Sequence, residues 1–412
     1  MSIGTTDVAE TDRATCPFNH HDPSFRYEYR QVIDGLREAA PIAWSDLHGG
    51  FWVVTSYELV RQLARDSETF TVAPGPDRTG GLRIPPTPGM KTRPLFVPGE
   101  TDGVEHDVYR MALNPHFSKA RVAELAPMIE RHVHAALDAV VERDEFDAIG
   151  EFIIPILAGV GSEHLGIDVA DPADFFHSMH RMIGSTGAVG AEFEEVRRTF
   201  DESWATLTDL VDRRRAEPGD DVISHLISHT DPVFADEQIH MMTLNVILGA
   251  FHTTSSLLGQ ILLHLSEHPE VREHLRAHPD EVPRAVDEFL RHKAVSIGIA
   301  RTATKDVEVG GASIKQGDRV MLVLAGANYD PAKYANPTEF DLERGSAQHL
   351  AMGVGAHFCL GAWLAKSVAA TTIREMLARV DHFAIDPARI QLADEISNAY
   401  SIEHAPATAI GR

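Results

Sequence analysis

Apolar residues recur at helical spacing through most of this chain. The longest such run, Asp236 to about Glu267, predicts one helix of about 48 Å at the helical rise, long enough to cross a whole domain. Its middle, Gly249-Ala250-Phe251-His252-Thr253-Thr254, breaks the apolar pattern with small and polar residues. Small residues there leave room for a ligand, and a Thr hydroxyl can bond back to a carbonyl and bend the helix. A buried threonine satisfied by its own helix is the commoner alternative. Shorter helices are predicted over Tyr27–Ala39, from the Ser56 cap to about Asp66, over Asp102–Val122, and through most of Ala120–His229, including Asp174–Ile183 and Glu192–Arg215 with a break at Gly184–Gly190. Two more follow, over Asp280–Arg291 and Ala362–Val380. Period-two or short apolar stretches predict a hairpin, Ile42–Trp44 with Phe51–Thr55 across His48-Gly49-Gly50, and strands near Gly298–Thr304, Val307–Val309 and Arg319–Ala325. The fold class is mainly α with small β-sheets, an α+β arrangement.

Between Thr71 and Thr101, seven prolines and five glycines exclude a regular element. A loop this long reads as a lid over a pocket, and its Arg78, Arg83, Lys91 and Arg93 either meet a carboxylate or are simply solvated.

Composition narrows the partners. With 37 basic and 61 acidic residues the formal charge is -24, which argues against nucleic acid or an anionic membrane, since both need a positive surface. No run of about 18 uninterrupted apolar residues predicts a membrane span. The first 22 residues read as a mobile tail with neither the basic start nor the apolar core of a signal peptide, and residues 23–412 as a single domain. Two cysteines, Cys16 in that tail and Cys359, give no disulfide framework and fit a reducing cytoplasm.

Candidate chemistry centres on Cys359. It lies between Gly355 and Gly361 in HLAMGVGAHFCLGAWLAK, His349 to Lys366, at the entrance of a predicted helix. Unpaired N–H groups and the helix dipole there favour thiolate, and glycines let the backbone approach a large flat ligand. A small buried hydrophobe is the alternative for a lone cysteine. His106 and Arg110, four apart, share a helix face as a donor pair suited to an anion, or as a solvated face. Glu288 and Arg291 stand at i, i+3 and can pair with each other or with a third residue. Arg213-Arg214-Arg215 before Glu217-Pro218-Gly219 are cations at a helix end.

Taken together, these motifs resemble the cytochrome P450 family of haem-thiolate monooxygenases, over essentially the whole chain from Tyr27. Met352-Gly353-Val354-Gly355-Ala356-His357-Phe358-Cys359-Leu360-Gly361 meets the family's cysteine signature, and Glu288 with Arg291 meets its Glu-x-x-Arg signature. The resemblance implies the family's fold, with haem b (iron protoporphyrin IX) between the long central helix and the cysteine loop. It implies Cys359 as the iron ligand, His106, Arg110, Arg301 and His357 as cofactor-binding donors to the haem propionates, and Thr253 with His252 as the catalytic pair. Glu288 and Arg291 would lock the irregular stretch near Arg344 and hold the cysteine loop. The lid loop, the break near Gly184, Ala294–Ile299 and Asn398–Ser401 would shape the pocket. The implied activity is insertion of one oxygen atom from O2 into a small, mostly apolar organic substrate by a cytoplasmic monomer, fed by a separate ferredoxin and its reductase. Docking of that partner is expected on the cysteine side, near Lys366, Arg344, Arg121 and Lys119. A peroxygenase or another non-hydroxylating oxidation, such as dealkylation or ring formation, is the alternative, and a non-enzymatic haem sensor a third.

Three residues depart from the family pattern. His252 stands where an acid usually precedes the threonine, and an imidazole can relay protons near neutral pH or serve structure alone. Met352 replaces the usual Phe, a volume-filling exchange. Tyr329 stands where Arg is frequent.

Overall fold

The long apolar run forms a single 32-residue helix, Asp236–Glu267, and the rest of the helical part packs around it. The computed structural model describes residues 14–22, 24–75, 80–84, 95–176, 178, 191–293, 295–344, 348–392 and 400–412. Asp236 and Glu237 lie in the first turn of this central helix, where the dipole favours acids. Gln238 folds back so that its Oε1 accepts from the Ala235 N–H at 2.9 Å. A helix apolar all round must be buried. By length and composition the central helix and the stretch Ala148–Leu165 could each cross a membrane, yet 67% and 56% of those stretches are buried inside the protein. They are core elements. Leu258, Ile261, Leu262 and Leu265 have no exposed surface, and each such side chain contributes about 1.5–3 kcal/mol of transfer free energy. Helices Ala126–Val140, Ile154–Leu165, Val282–Lys293 and Ala362–Arg379 complete this core.

Beside it lies a five-stranded sheet, ordered Ile42–Ser45, Phe51–Val54, Arg319–Leu322, Ile299–Ala303, Phe70–Thr71. Phe51–Val54 runs parallel to Arg319–Leu322, and the other pairs are antiparallel. Alternation sorts its side chains into two cores. Trp52, Val54, Val320 and Leu322 face a cluster that includes Leu350 and Val354 of the cysteine loop, whereas Phe51, Val53, Ala300 and Met321 face Phe18, Phe25 and Ile33. Arg301 pairs with Val320, and cross-strand partners share a face, so Arg301 sits on the cysteine-loop side.

Some expectations change. Residues 14–22 belong to the packed body and not to a mobile tail: Cys16 N–H donates to the Trp44 carbonyl at 2.8 Å and Phe18 is fully buried. Residues 1–13 lie outside the described residues. The strand expected to reach Ala325 ends at Leu322, because Leu324–Asn328 turns into a short helix. A second sheet, Phe146–Asp147, Pro406–Gly411 and Val380–Ile385, was not legible in the hydrophobic pattern.

The Glu288–Arg291 pair is a buried lock. Arg291 Nε and Nη2 donate to the two Glu288 oxygens at 2.8 and 2.7 Å. The remaining donors reach the carbonyls of Asn328 (3.0 Å), Pro337 (2.7 Å) and Glu339 (2.9 Å). Arg344 Nε adds a contact to Glu288 at 3.2 Å and spends its other nitrogens on the carbonyls of Ala335, Asn336 and Glu339. The irregular stretch from Asn328 to Arg344 is thereby fastened to the Val282–Lys293 helix. Tyr329 fits this scaffold without an arginine: it is buried, its hydroxyl bonds the His292 carbonyl, and the Arg291 guanidinium lies 5.6 Å from its ring centre. With side-chain exposures of 0% and 1%, neither partner of the lock has water to fall back on. Glu288→Ala is expected to cost about 3–5 kcal/mol of stability, read by denaturant unfolding, because it leaves a buried guanidinium without its carboxylate.

Candidate active site

The cysteine loop is built on glycine and on backbone anchors. Gly353 and Gly355 take φ of +69° and +82°, and a Cβ on Gly355 would come within 3.1 Å of the Arg65 Cα. No other residue fits there without displacing the chain. Asn328 Oδ1 accepts the Leu350 N–H at 2.7 Å, Tyr57 donates to the Gln348 carbonyl at 2.6 Å, and the Cys359 N–H returns to the Met352 carbonyl at 2.8 Å. The Ala362–Arg379 helix begins directly beyond. Met352 packs against the main core, as a volume-filling exchange requires.

Cys359 is half-buried, with protein packed closely around it. Burial pushes its thiol pKa up, opposed by the Gly361 N–H and by the charges of Arg110 and Lys366. The helix entrance was expected to favour thiolate. Here desolvation outweighs it, and a cation placed on the sulfur, as a metal is, would offset that cost.

Three donors converge nearby from two elements. His106 and Arg110 lie one turn apart on helix Gly103–Phe117, and Arg301 reaches in from the sheet. The His106 and His357 rings are 4.5 Å apart. Arg301 is buried, its pKa pulled down to about 10 by desolvation, and its Nη1 donates to the Ala300 carbonyl at 2.9 Å. Arg110 Nε donates to Asn114 Oδ1 at 3.1 Å, and burial lowers its pKa as well. Among the described residues neither arginine is paired with a carboxylate. The Asp102 charge offsets only part of the Arg301 desolvation. A desolvated guanidinium short of counter-charge is costly, and its natural partner is an anion brought in from outside the chain.

Thr253 and His252 stand on a different element, at the middle of the central helix. Gly249 and Ala250 are exposed there although the helix is buried on both sides of them, and a Cβ on Gly249 would touch nothing within 4 Å. Thr253 Oγ1 donates to the Gly249 carbonyl at 2.7 Å, so it shares that face. The His252 carbonyl accepts from Ser255 Oγ and Ser256 Oγ at 3.0 and 2.8 Å, and Ser256 Oγ also meets Ser401 Oγ at 3.0 Å. Tyr400 N–H donates to the Val295 carbonyl at 2.8 Å, which joins two of the segments expected to shape the pocket. Arg78, Lys91, Arg93, Gly184–Gly190, Ala294 and Asn398 lie outside the described residues.

These features fit haem: a thiol whose ionisation a metal would favour, unpaired cations for two propionates, open space over a glycine of the central helix, and a glycine-rich loop for close approach. One residue in the cluster was missed by the sequence reading. Asp102 directly precedes the Gly103–Phe117 helix, yet its carboxylate caps none of that helix's N–H groups. It accepts from His357 Nε2 at 2.8 Å and from Thr71 Oγ1, Val72 N and Ala73 N at 2.5, 2.9 and 3.2 Å, and these bonds hold its pKa at about 2 against the desolvation that would raise it. An Asp at an N-cap position four residues before His106 was the available signal.

Known proteins agree with this geometry. A family model described as Cytochrome P450 matches residues 171–395. Pentalenic acid synthase of Streptomyces avermitilis is 34% identical over 370 residues, covering 87% of each chain. The 6-deoxyerythronolide B hydroxylase of Saccharopolyspora erythraea is 29% identical over 369 residues, covering 86% of this chain and 89% of that protein. Among solved structures, a mutant of P450 EryK in complex with erythromycin B superposes with a TM-score of 0.82 at 26% identity, covering 94% of this chain and 97% of that one. P450BioI in complex with an acyl carrier protein shares the fold, with a TM-score of 0.86 at 24% identity over 94% of this chain and all of the other. The chain belongs to the cytochrome P450 family of haem monooxygenases.

Proposed function

We propose that this monooxygenase holds iron protoporphyrin IX on Cys359 and oxidises a small, mostly apolar organic substrate, with electrons from a separate ferredoxin and its reductase, as a cytoplasmic monomer whose single domain, expected over residues 23–412, takes in residues 14–22 as well. The observation that carries the reading is the enclosed Cys359 thiol set among unpaired, desolvated arginines. When bound, haem would supply dioxygen activation, and the Cys359 thiolate that would hold its iron would donate electron density to it. The chain supplies the rest. Arg110 and Arg301 neutralise the propionates, His106 and His357 wall them in, and Glu288 with Arg291 keeps the loop rigid through Asn328, which anchors Leu350.

Thr253 would accept a hydrogen bond at Oγ1 on the open face, because its own hydrogen goes to the Gly249 carbonyl and its lone pairs stay available. His252 stands one residue earlier, where it acts as a proton relay in place of the usual acid. Names as different as pentalenic acid synthase and 6-deoxyerythronolide B hydroxylase among the relatives support the reaction class and single out no compound.

For the electron partner, the expected basic patch contracts. Arg344 is committed to Glu288 and to carbonyls, and Arg121 pairs with Glu124 and Asp220 at 3.1 and 2.8 Å. Lys119 remains, 5.3 Å from the exposed Trp363 ring, and Lys366 flanks the same ring at 5.6 Å but is itself paired with Asp287 at 2.6 Å. Exposed Phe358 precedes the cysteine, and an aromatic between two cations is a typical anchor for an acidic partner.

The reduced carbon monoxide complex should show the red-shifted absorption of thiolate ligation, and its absence in freshly purified protein would sink the proposal. Thr253→Ala should lower product formed per NADH consumed by about 10-fold or more, an effect of the size general acid–base groups provide. His252→Asp should shift that ratio too, and an unchanged ratio with unchanged products removes His252 from the mechanism. Trp363→Ala with Lys119→Glu should raise the KM for ferredoxin by about 10-fold, a loss of about 1.4 kcal/mol, while peroxide-driven turnover stays unaltered.

A further inference from the structure

Between Met241 and Phe251 the central helix carries two polar side chains, Thr243 and Asn245, in a run otherwise made of apolar residues and Gly249. Thr243 is buried and satisfied by its own helix, its Oγ1 donating to the Ile239 carbonyl at 2.8 Å. Asn245 is different. It is half-buried, and among the described residues its amide has no hydrogen-bond partner. Asparagine is a poor helix former and a half-buried amide without a partner is costly, so the helix itself gives no reason for it.

Its position does. Asn245, Gly249 and Thr253 stand at i, i+4 and i+8, so they follow one another along the face that opens at Gly249–Ala250. At the helical rise Asn245 lies about 6 Å along the axis from Gly249 and about 12 Å from Thr253. The amide also abuts Gly99, near the end of the loop expected to act as a lid: a Cβ on Gly99 would come within 2.8 Å of Asn245 Oδ1 and 3.5 Å of Nδ2. Glycine at 99 makes the room that the amide occupies.

The chemistry of this face is that of a neutral group. The central helix carries no Lys or Arg, and Gly99's neighbour, buried Glu100, is an acid. A carboxylate brought here would lose its water without gaining a counter-charge. An amide has one acceptor and two donors, which match a hydroxyl or a carbonyl.

We propose that Asn245 is a specificity-determining residue: its amide binds a neutral oxygen function, a hydroxyl or carbonyl, on an otherwise apolar substrate whose reacting end lies toward Thr253. The inference rests on the haem-thiolate reading of Cys359 and narrows its substrate class to neutral oxygenated molecules such as alcohols, ketones and lactones.

The test uses the haem-loaded protein and equilibrium dialysis against cyclic ketones of graded size, cyclohexanone to cyclopentadecanone, each paired with its parent hydrocarbon. At least one ketone is expected to bind. For the tightest of them Asn245→Leu should raise the dissociation constant about 10-fold while leaving the hydrocarbon within about 2-fold. Gly99→Ala, which presses on the same amide without removing it, should shift the ratio in the same direction. The infrared carbonyl stretch of that ketone gives a reading without any variant: bound to the unmodified protein it should move to lower frequency, as a hydrogen-bonded carbonyl does. Ketone and hydrocarbon weakened alike by Asn245→Leu, an unshifted carbonyl stretch, or no ketone bound at all would each overturn the inference. A thiolate carbon monoxide spectrum in the same preparation leaves the haem-thiolate reading standing in those cases, whereas its absence sinks that reading and the inference with it.

Discussion

The site depends on buried positive charge that the chain does not neutralise by itself. Arg301 is enclosed between the sheet and the cysteine loop, and Arg110 is half-buried one turn from His106, and among the described residues no carboxylate pairs with either. Proteins pair such groups or pay several kcal/mol for them. Arg291 shows the alternative within the same chain: equally buried, it has a bidentate glutamate and three carbonyls. The contrast separates a structural arginine from the two arginines that the proposed haem seat would use. Cys359 follows the same logic with opposite sign, since burial disfavours its thiolate and a metal on the sulfur would offset that cost.

The fold exists to bring these groups to one place. A helix largely apolar along its length has to cross the core, and the exposed window at Gly249–Ala250 in its middle sets one wall. The sheet register puts Arg301 on the face that meets Leu350 and Val354. The Glu288–Arg291–Arg344 lock fixes the stretch from which Asn328 holds the cysteine loop. Each support is a satisfied polar contact in a desolvated setting, where geometry is tightly held.

What could be seen in the sequence was what depends on spacing. The central helix was legible to its ends because 32 residues of helical periodicity leave little choice, and the hairpin at Ile42–Val54 was legible from its alternation and glycines. Cys359, His106, Arg110, Glu288 and Arg291 stood out through fixed local patterns. The sheet that joins Phe146–Asp147 to Pro406–Gly411 was not readable, since a two-residue strand carries no period and its partner lies far along the chain. Phe18 and its neighbours looked like a tail because a polar terminal segment gives no sign of the sheet face it covers. Asp102 escaped for a related reason. Its partners, Thr71 to Ala73 and His357, are 31 and 255 residues away, and only the fold makes them neighbours.

The claim on which the account turns is that buried, unpaired arginines select the carboxylates of the cofactor. Haem and its dimethyl ester should therefore be compared for binding to the haem-stripped protein under identical conditions. The account predicts that the ester binds at least about 100-fold more weakly, the loss expected for two charge-assisted hydrogen bonds, and that Arg301→Leu narrows the gap. Equal affinities for the two porphyrins would contradict it.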